Sequence, residues 1–559
     1  GRKFLEVAAL AGSAVSPELV ATVTGHEGEA VRGVLNVVVA EGGLLVAGEL
    51  QDSYVWKHSL IREAVIDSLE PAASRQLREA IGGALSDQGQ PLRAARQAVD
   101  VLTVSAQRVL PTVLAGIDEA LRTLAFELAE DLCSKGLALG GRLADPALAV
   151  GLLTRMGRCL AYKGERDAAV RTWQEAARMA RETHKPELLA EVALATEPYA
   201  RSTVNLPLRW SLLNEAVAVH SEVPRATQVR VISEWINEGA LPQNRVTDSS
   251  LVAQVVDLAH QQSDDRLLAM ALDAKHNALR ASQEVPIDIS NELCQTAAHL
   301  SDPHWRARAH LLGLIDAITM AHLDEAQGHL EAYLRAADGS LSPRSRWEAS
   351  MVCSTWAMWR GDVDSSDRHA QTAVEAGQRY GIEDAPRALG IHLFFRAFHA
   401  GTLSDLVGPL TQFADEHPEI LAWRAGAGLA MAAAGDHRGA MGVRDEVLPL
   451  LLNPGVDPTW PTAACLTAQL CWETGAEKGQ TKALLSALGR YPGRVAVIGR
   501  FIGECGPKER YLGLLCVPHD GRRARRLLLS AKALSDQISA GLWAERATTD
   551  LDAIGGVGA

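Results

Sequence analysis

The sequence predicts a mainly α-helical fold, with a small mixed module at the front and a long array of stacked helix pairs behind it. Three observations predict it. Apolar residues make up 47 % of the chain and aromatics only 5 %; alanine and leucine dominate the apolar set, a composition that suits closely packed helices better than sheets. The length of 559 residues exceeds what one hydrophobic core organises, which calls for several domains or an elongated stack. From about residue 72 onward, helical stretches recur at intervals of roughly 15 to 20 residues with Gly, Pro or Asp between them, and no segment there reads as a strand.

The front module spans residues 1–70. Phe4, Val7, Ala8 and Ala11 share one helical face and Gly12 supplies a stop. Ser16 then caps a second helix whose first position is Pro17 and whose end is Gly25. A third helix carries a continuous apolar stripe of Val31, Val34, Leu35, Val38 and Val39 and stops at Gly42-Gly43. Two β-like runs follow, Leu44 to Ala47 and Tyr54 to Lys57, with residues 48–53 as the loop between them. Three helices and a hairpin make a winged-helix arrangement. Such modules often bind DNA, but the third helix offers Glu27, Glu29 and Glu41 against only Arg32, and carboxylates repel phosphates. Packing against a neighbouring domain is the expectation.

Residues 71–554 read as an α-solenoid of helix pairs. In its clearest copy, Leu152 to Ala180, Gly157 is small where two helices meet, Gly164 sits near the turn, and Ala169 permits close approach. Trp173 fills the groove and Ala176 abuts the next pair. These positions match the tetratricopeptide pattern. Gly428, Gly435 and Ala440 fall at the same offsets, as do Gly361 and Ala373, although Ser366 stands where alanine is usual. Segments 302–337 and 508–534 fit amphipathic pairs less strictly, and Pro454, Pro458 and Pro461 mark a longer connection. A period of roughly 34 residues gives about a dozen pairs, followed by a Gly-rich tail at 555–559. Stacks of this kind offer a concave surface to peptides, proteins or small ligands, so a protein partner or a small-molecule effector is expected there.

Chemistry is harder to find. The formal charge of −13 is the wrong sign for a surface that attracts nucleic acid or anionic lipid. No apolar run reaches bilayer length, so a cytoplasmic location is expected. The eight cysteines are scattered without C-x-x-C spacing and read as buried thiols rather than redox or zinc ligands. The seventeen histidines fall at no recognisable metal-ligand spacing, and no metal site is expected. Gly475 to Lys482 lacks the P-loop lysine and reads as a helix-turn segment; Gly426-Ala427-Gly428 lies inside a helical run. Acid pairs such as Glu130-Asp131 and Asp264-Asp265 read as solvated faces and turns. Arg522, Arg523, Arg525 and Arg526 form the one strong basic cluster, read as a solvated helix start. Trp305, Trp347, Trp356 and Trp359, at helical spacing, read as core. No catalytic residue emerges, and the chain is expected not to be an enzyme.

A family resemblance adds to this. The stretch from Tyr54 through His58, Arg62 and Glu63 to Val65 resembles the end of the winged-helix domain in large ATP-binding regulators of the LuxR family, multidomain signalling NTPases with a tetratricopeptide-like sensor. Phe4 to Gly12, Ser16 to Val20 and Val23 to Gly25 look like the start of the same domain. Tyr491 to Gly499 and Tyr511 to Leu515 are similar to segments late in those helical arrays, and Trp543 to Ala547 to the piece preceding their helix-turn-helix. The resemblance implies that His58 matches a nucleotide-sensing histidine able to donate a hydrogen bond to an ADP phosphate in the intact parent; tying the hairpin to the next helix is its alternative role. ATP or ADP is expected in the parent, and no cofactor in this chain.

The chain opens with Gly1 at a helical pattern without a methionine, as a piece of something longer would. The implied function is the effector- or protein-sensing region of a bacterial transcriptional regulator, relaying binding to a nucleotide switch and a DNA-binding domain outside this sequence, with oligomerisation on activation. A regulatory region of a nucleotide cyclase-type signalling enzyme and a stand-alone helical-repeat scaffold are the alternatives.

Overall fold

The computed structural model describes residues 1–41, 43–48, 53–140, 146–196, 207–339, 342–453, 455–491 and 493–557. They fall into two compact units, the first made of the described residues up to Glu222 and the second of those from Val223 onward. Among the described residues no helix is long and apolar enough to cross a membrane.

The first unit opens with helices Arg2–Ala11, Pro17–Thr24 and Gly28–Ala40 and strands Ala14–Val15, Leu45–Ala47 and Tyr54–Trp56, followed by helix Ser59–Asp67. The Ser16 hydroxyl accepts from the Leu19 amide, Pro17 is the first helical residue, and Gly25 closes the helix at φ 70°. The third helix ends at Ala40; Gly42 and the tip of the expected loop, residues 49–52, lie outside the described residues. Strand Ala14–Val15 adds to the expected hairpin, giving an antiparallel sheet in the order first, third, second. The core of Phe4, Val7, Leu10, Leu19, Val31, Leu35 and Trp56 continues into Ile81, Leu85 and Ala94 of helices Pro71–Asp87 and Pro91–Ala98.

The repeat signature is a turn. In the first unit Leu124 and Gly164, and in the second Ala321, Gly361 and Gly435, take the left-handed conformation. Five residues after each lies a small side chain without exposure: Ala129, Ala169, Ala326, Ser366 and Ala440. Each turn closes by backbone bonds such as Gly164 N to Ala161 O at 3.0 Å and Glu165 N to Leu160 O at 2.9 Å, which satisfy carbonyls left over at the helix end. The small residue lets the next helix approach. At Leu152 to Ala180 the fit is tight: Trp173 is fully buried, its Nε1 donates to Thr154 O at 3.2 Å, and its ring lies on the bare Cα of Gly157. Ser366, in the alanine position, instead donates to Ser354 O at 2.8 Å.

Leu124 and Gly164 are forty residues apart, as are Ala321 and Gly361, Gly361 and Gly401, and Gly435 and Gly475. The period is therefore longer than the 34 residues used above, because most pairs have longer helices or connections than a minimal tetratricopeptide; only Gly401 to Gly435 keeps 34. The helices from Pro71 onward still amount to about a dozen pairs.

One reading is overturned. The second unit contains two strands, Val495–Ile498 and Gly503–Pro507, paired antiparallel with a bulge between Val495 and Val497. Val495-Ala-Val-Ile498 is a short apolar run bounded by Arg494 and Gly499, the pattern of a buried strand, and periodicity alone does not separate so short a run from a helix. The last helix, Gly541–Val557, runs through residues 555–557, where a Gly-rich tail was read. Pro454 lies outside the described residues. Trp305, Trp347 and Trp359 are core residues as expected, and Trp356 is half-buried.

Candidate functional site

The second unit carries a seam of polar side chains on helices that packing alone would fill with apolar ones. It starts with Asn237 on helix Arg225–Gly239 and Asn277, forty residues later on Asp265–Ala281, whose Nδ2 donates to Asn237 Oδ1 at 2.7 Å. Asp273, on the same helix as Asn277, accepts from Arg308 Nε of helix Pro303–Met320 at 2.5 Å. His276 Nε2 meets Asp316 Oδ2 at 2.9 Å, both side chains buried and again forty residues apart. Burial pushes the Asp316 carboxyl up, and His276 outweighs it, leaving the group below the usual carboxylate range. On the next repeats, Arg344 of helix Pro343–Trp359 donates to Asp384 at 2.6 Å, and Arg387 of helix Ala385–Ala400 binds the same carboxylate.

The hairpin Val495–Pro507 lies on this seam. Arg494 N donates to Thr319 O at 2.8 Å at one end. In its turn, Arg500 NH1 donates to Glu348 Oε1 at 3.1 Å. Burial pushes the Glu348 carboxyl up, and the guanidinium groups of Arg500, Arg308 and Arg344 prevail, holding it below its ordinary value. At the far end Glu504 accepts from Trp543 Nε1 at 2.7 Å and from Gly506 N at 2.5 Å. Burial nevertheless pushes its carboxyl up to about 7. Gly506, at φ 67°, has no Cβ because Trp543 occupies that space. Behind it Arg510, fully buried, donates to Asp550 and Gln469, both at 2.6 Å, inside a ring of Phe398, Tyr511 and Trp543.

A second segment reaches back in the same way: Asp457 N donates to Ala281 O at 2.9 Å and Gln283 Nε2 to Asp457 O at 2.7 Å. A linear stack has contacts only between neighbours; this unit is tied together across more than 150 residues of sequence, as Arg500 to Glu348 shows. Buried ion pairs roughly break even against apolar packing, so the seam is not explained as a source of stability. Its donors and acceptors are fixed and desolvated, and on the helices of Arg344 and Arg387 Ser354 Oγ stands 3.2 Å from His392 Nδ1, whose Nε2 meets Asp367 Oδ1 at 3.1 Å.

The other residues singled out in the sequence fall as follows. His58 stands at the N-terminus of helix Ser59–Asp67 with its imidazole exposed. Its exposed imidazole offers one hydrogen-bond donor to a phosphate. Arg32, the one base on the third helix, is occupied by Glu18 at 2.7 Å, while Glu27, Glu29 and Glu41 are exposed. Arg522, Arg523, Arg525 and Arg526 are exposed on the first turns of helix Gly521–Gln537. Glu130 and Asp131 pair with Lys163 and Lys135, and Asp264 caps a helix. Gly426 and Gly428 lie inside helix Leu421–Ala433, and Gly475 is the turn before helix Lys478–Gly489. Sequence reasoning missed the seam, whose signal is polar residues recurring at forty positions within apolar helices.

No known family matches the chain, and no curated protein does. Among solved structures, a signal transduction ATPase with numerous domains and a tetratricopeptide repeat sensor from Pyrococcus horikoshii is 12 % identical, over 70 % of this chain and 64 % of its own, with a TM-score of 0.36. The chain thus spans less than two thirds of that protein. Yeast Tom70 is 11 % identical, over 86 % of this chain and 97 % of its own, with a TM-score of 0.33. With scores this low, the helical-repeat assignment stands on the turns and buried small residues described above.

Proposed function

We propose that this chain is the sensor region of a cytoplasmic bacterial transcriptional regulator of the LuxR type, a winged-helix adaptor followed by helical repeats that hold an effector or protein partner. The observation that carries the reading is the polar seam: desolvated charge on successive repeats gives binding specificity that packing does not require. The front module supports the adaptor role. Its three helices, its antiparallel sheet and exposed Val37, Val46 and Leu60 suit packing against a neighbouring domain, and its occupied Arg32 and exposed carboxylates do not suit DNA.

On this reading the chain is not an enzyme. An effector that binds one packing of the repeats better than another shifts the equilibrium by that difference in affinity, and the parent's ATP or ADP switch and oligomerisation follow, with His58 as the contact to the nucleotide phosphate. The reading frame around this chain tests it. A nucleotide-binding domain ahead and a helix-turn-helix behind are the expected flanks; a cyclase domain would transfer the reading to a signalling enzyme, and a frame with neither would leave a scaffold.

A further inference from the structure

Outside the seam, three helices bring together side chains that no spacing in the sequence connects. Cys294 comes from helix Ile287–Ala298, His310 from Pro303–Met320 and His329 from Leu323–Asp338, and all three are half-buried. His310 Nδ1 and His329 Nδ1 stand 3.2 Å apart, Cys294 Sγ is 3.9 Å from His310 Nδ1, and the three ligand atoms lie within 4.8 Å of one another. The imidazole planes are inclined at 51° with centroids 5.5 Å apart, so the rings converge through their nitrogens rather than stack.

We propose that Cys294, His310 and His329 form a binding site for a zinc-class metal ion, with the fourth position open to water or to a ligand. The nitrogen–nitrogen spacing is that of a first coordination shell, and the sulfur stands a few tenths of an ångström wider of His310. Around a tetrahedral zinc, bond lengths of about 2.0–2.1 Å to nitrogen and 2.3 Å to sulfur put two nitrogens about 3.3 Å apart and nitrogen and sulfur about 3.6 Å apart. Soft thiolate and imidazole donors select this class of ion over magnesium or calcium.

Two further observations point the same way. Gly313, one turn after His310, faces His329, and a Cβ there would fall 2.4 Å from the ring's Cε1; a bare backbone at this position is what lets the second imidazole reach the first. Asp316, buried and held by His276, lies near enough for its charge to act on both Cys294 and His329. With the thiolate it supplies the two negative charges that balance a dication in a desolvated setting. Burial holds both imidazoles below their ordinary value, in His329 against the opposing pull of Glu325 and Asp316. Binding releases the Cys294 thiol proton to solvent as the metal–sulfur bond forms.

The test is titration of the purified full chain, stripped with a chelator, with cobalt(II) as the spectroscopic probe and zinc(II) as competitor. One equivalent of cobalt with a thiolate charge-transfer band and tetrahedral visible bands, displaced by one equivalent of zinc, is expected. Cys294→Ser should abolish the charge-transfer band, and His329→Gln, which removes a direct ligand, should weaken binding by at least the roughly 10- to 100-fold that loss of an outer-shell partner costs; Cys353→Ser, at another half-buried thiol, should change neither. A melting curve recorded without metal checks that each variant folds. No saturable cobalt binding by the unmutated chain, binding without the charge-transfer band, or a band that survives in folded Cys294→Ser would overturn the proposal.

Discussion

A methyl group on Gly157 would fall 2.3 Å from Trp173 Nε1, and the indole, fully buried and hydrogen-bonded to Thr154 O, has nowhere to go. Gly157→Ala is therefore expected to lower stability by about 1–3 kcal/mol, the usual cost of overpacking, read from urea unfolding; a change near zero would mean that the two helices separate freely. This pair was legible in the sequence because both residues sit within one repeat. Glu504 was not, since its partners Trp543 and Gly506 are set by the hairpin fold. Its carboxyl, raised from an ordinary 4.5 to about 7, keeps its proton in the folded chain where the unfolded chain has released it. The stabilisation is complete below pH 4.5, is lost as pH rises to about 7, and is level above that. His399, pulled down to about 3 by burial and by Arg546 and Arg510, acts in the opposite direction between about 3 and its ordinary 6.5, so the unmutated protein alone hides the effect. The stability difference between it and Glu504→Gln should fall by on the order of 3 kcal/mol between pH 4.5 and 7. A difference that is flat with pH in paired denaturation curves would rule this out.

At the scale of elements, the front helices and the hairpin of the first sheet were readable because local rules govern them, as Ser16, Pro17 and Gly25 mark one helix completely, whereas its third strand, Ala14–Val15, was not. The strands of the hairpin Val495–Pro507 were missed because the four apolar residues Val495 to Ile498 stand among helical segments, and a buried strand has no alternation to reveal it. Two of its partners, Thr319 and Glu348, are more than 100 residues away. The Arg500 to Glu348 bond anchors the turn, and Arg500→Ala leaves Glu348 with one fewer donor in a half-desolvated setting. A loss of about 1–3 kcal/mol is expected, accompanied by faster amide exchange across Val495–Pro507 and unchanged exchange in helix Arg166–Glu182 of the other unit. Unaltered exchange in the hairpin would show that the turn does not depend on this contact.

For the whole molecule, composition and length gave the helical class, and a repeat of small buried residues gave the stack. The long-range ties within the second unit were invisible, because contacts such as Asp457 N to Ala281 O and Arg500 to Glu348 join residues more than 150 positions apart that no local pattern connects. The candidate seam was hidden for a related reason: each member looks like an isolated polar residue until the forty-residue period aligns Asn237 with Asn277 and His276 with Asp316. Under the proposed function, recognition belongs to this chain and nucleotide chemistry to other parts of the parent. Steady-state ATP hydrolysis, measured side by side for the purified chain and for the complete reading frame, tests that division most directly. Turnover by the complete protein and none above the buffer blank by the chain is the predicted outcome; hydrolysis by the chain itself, lost on no removal of contaminant, would contradict it.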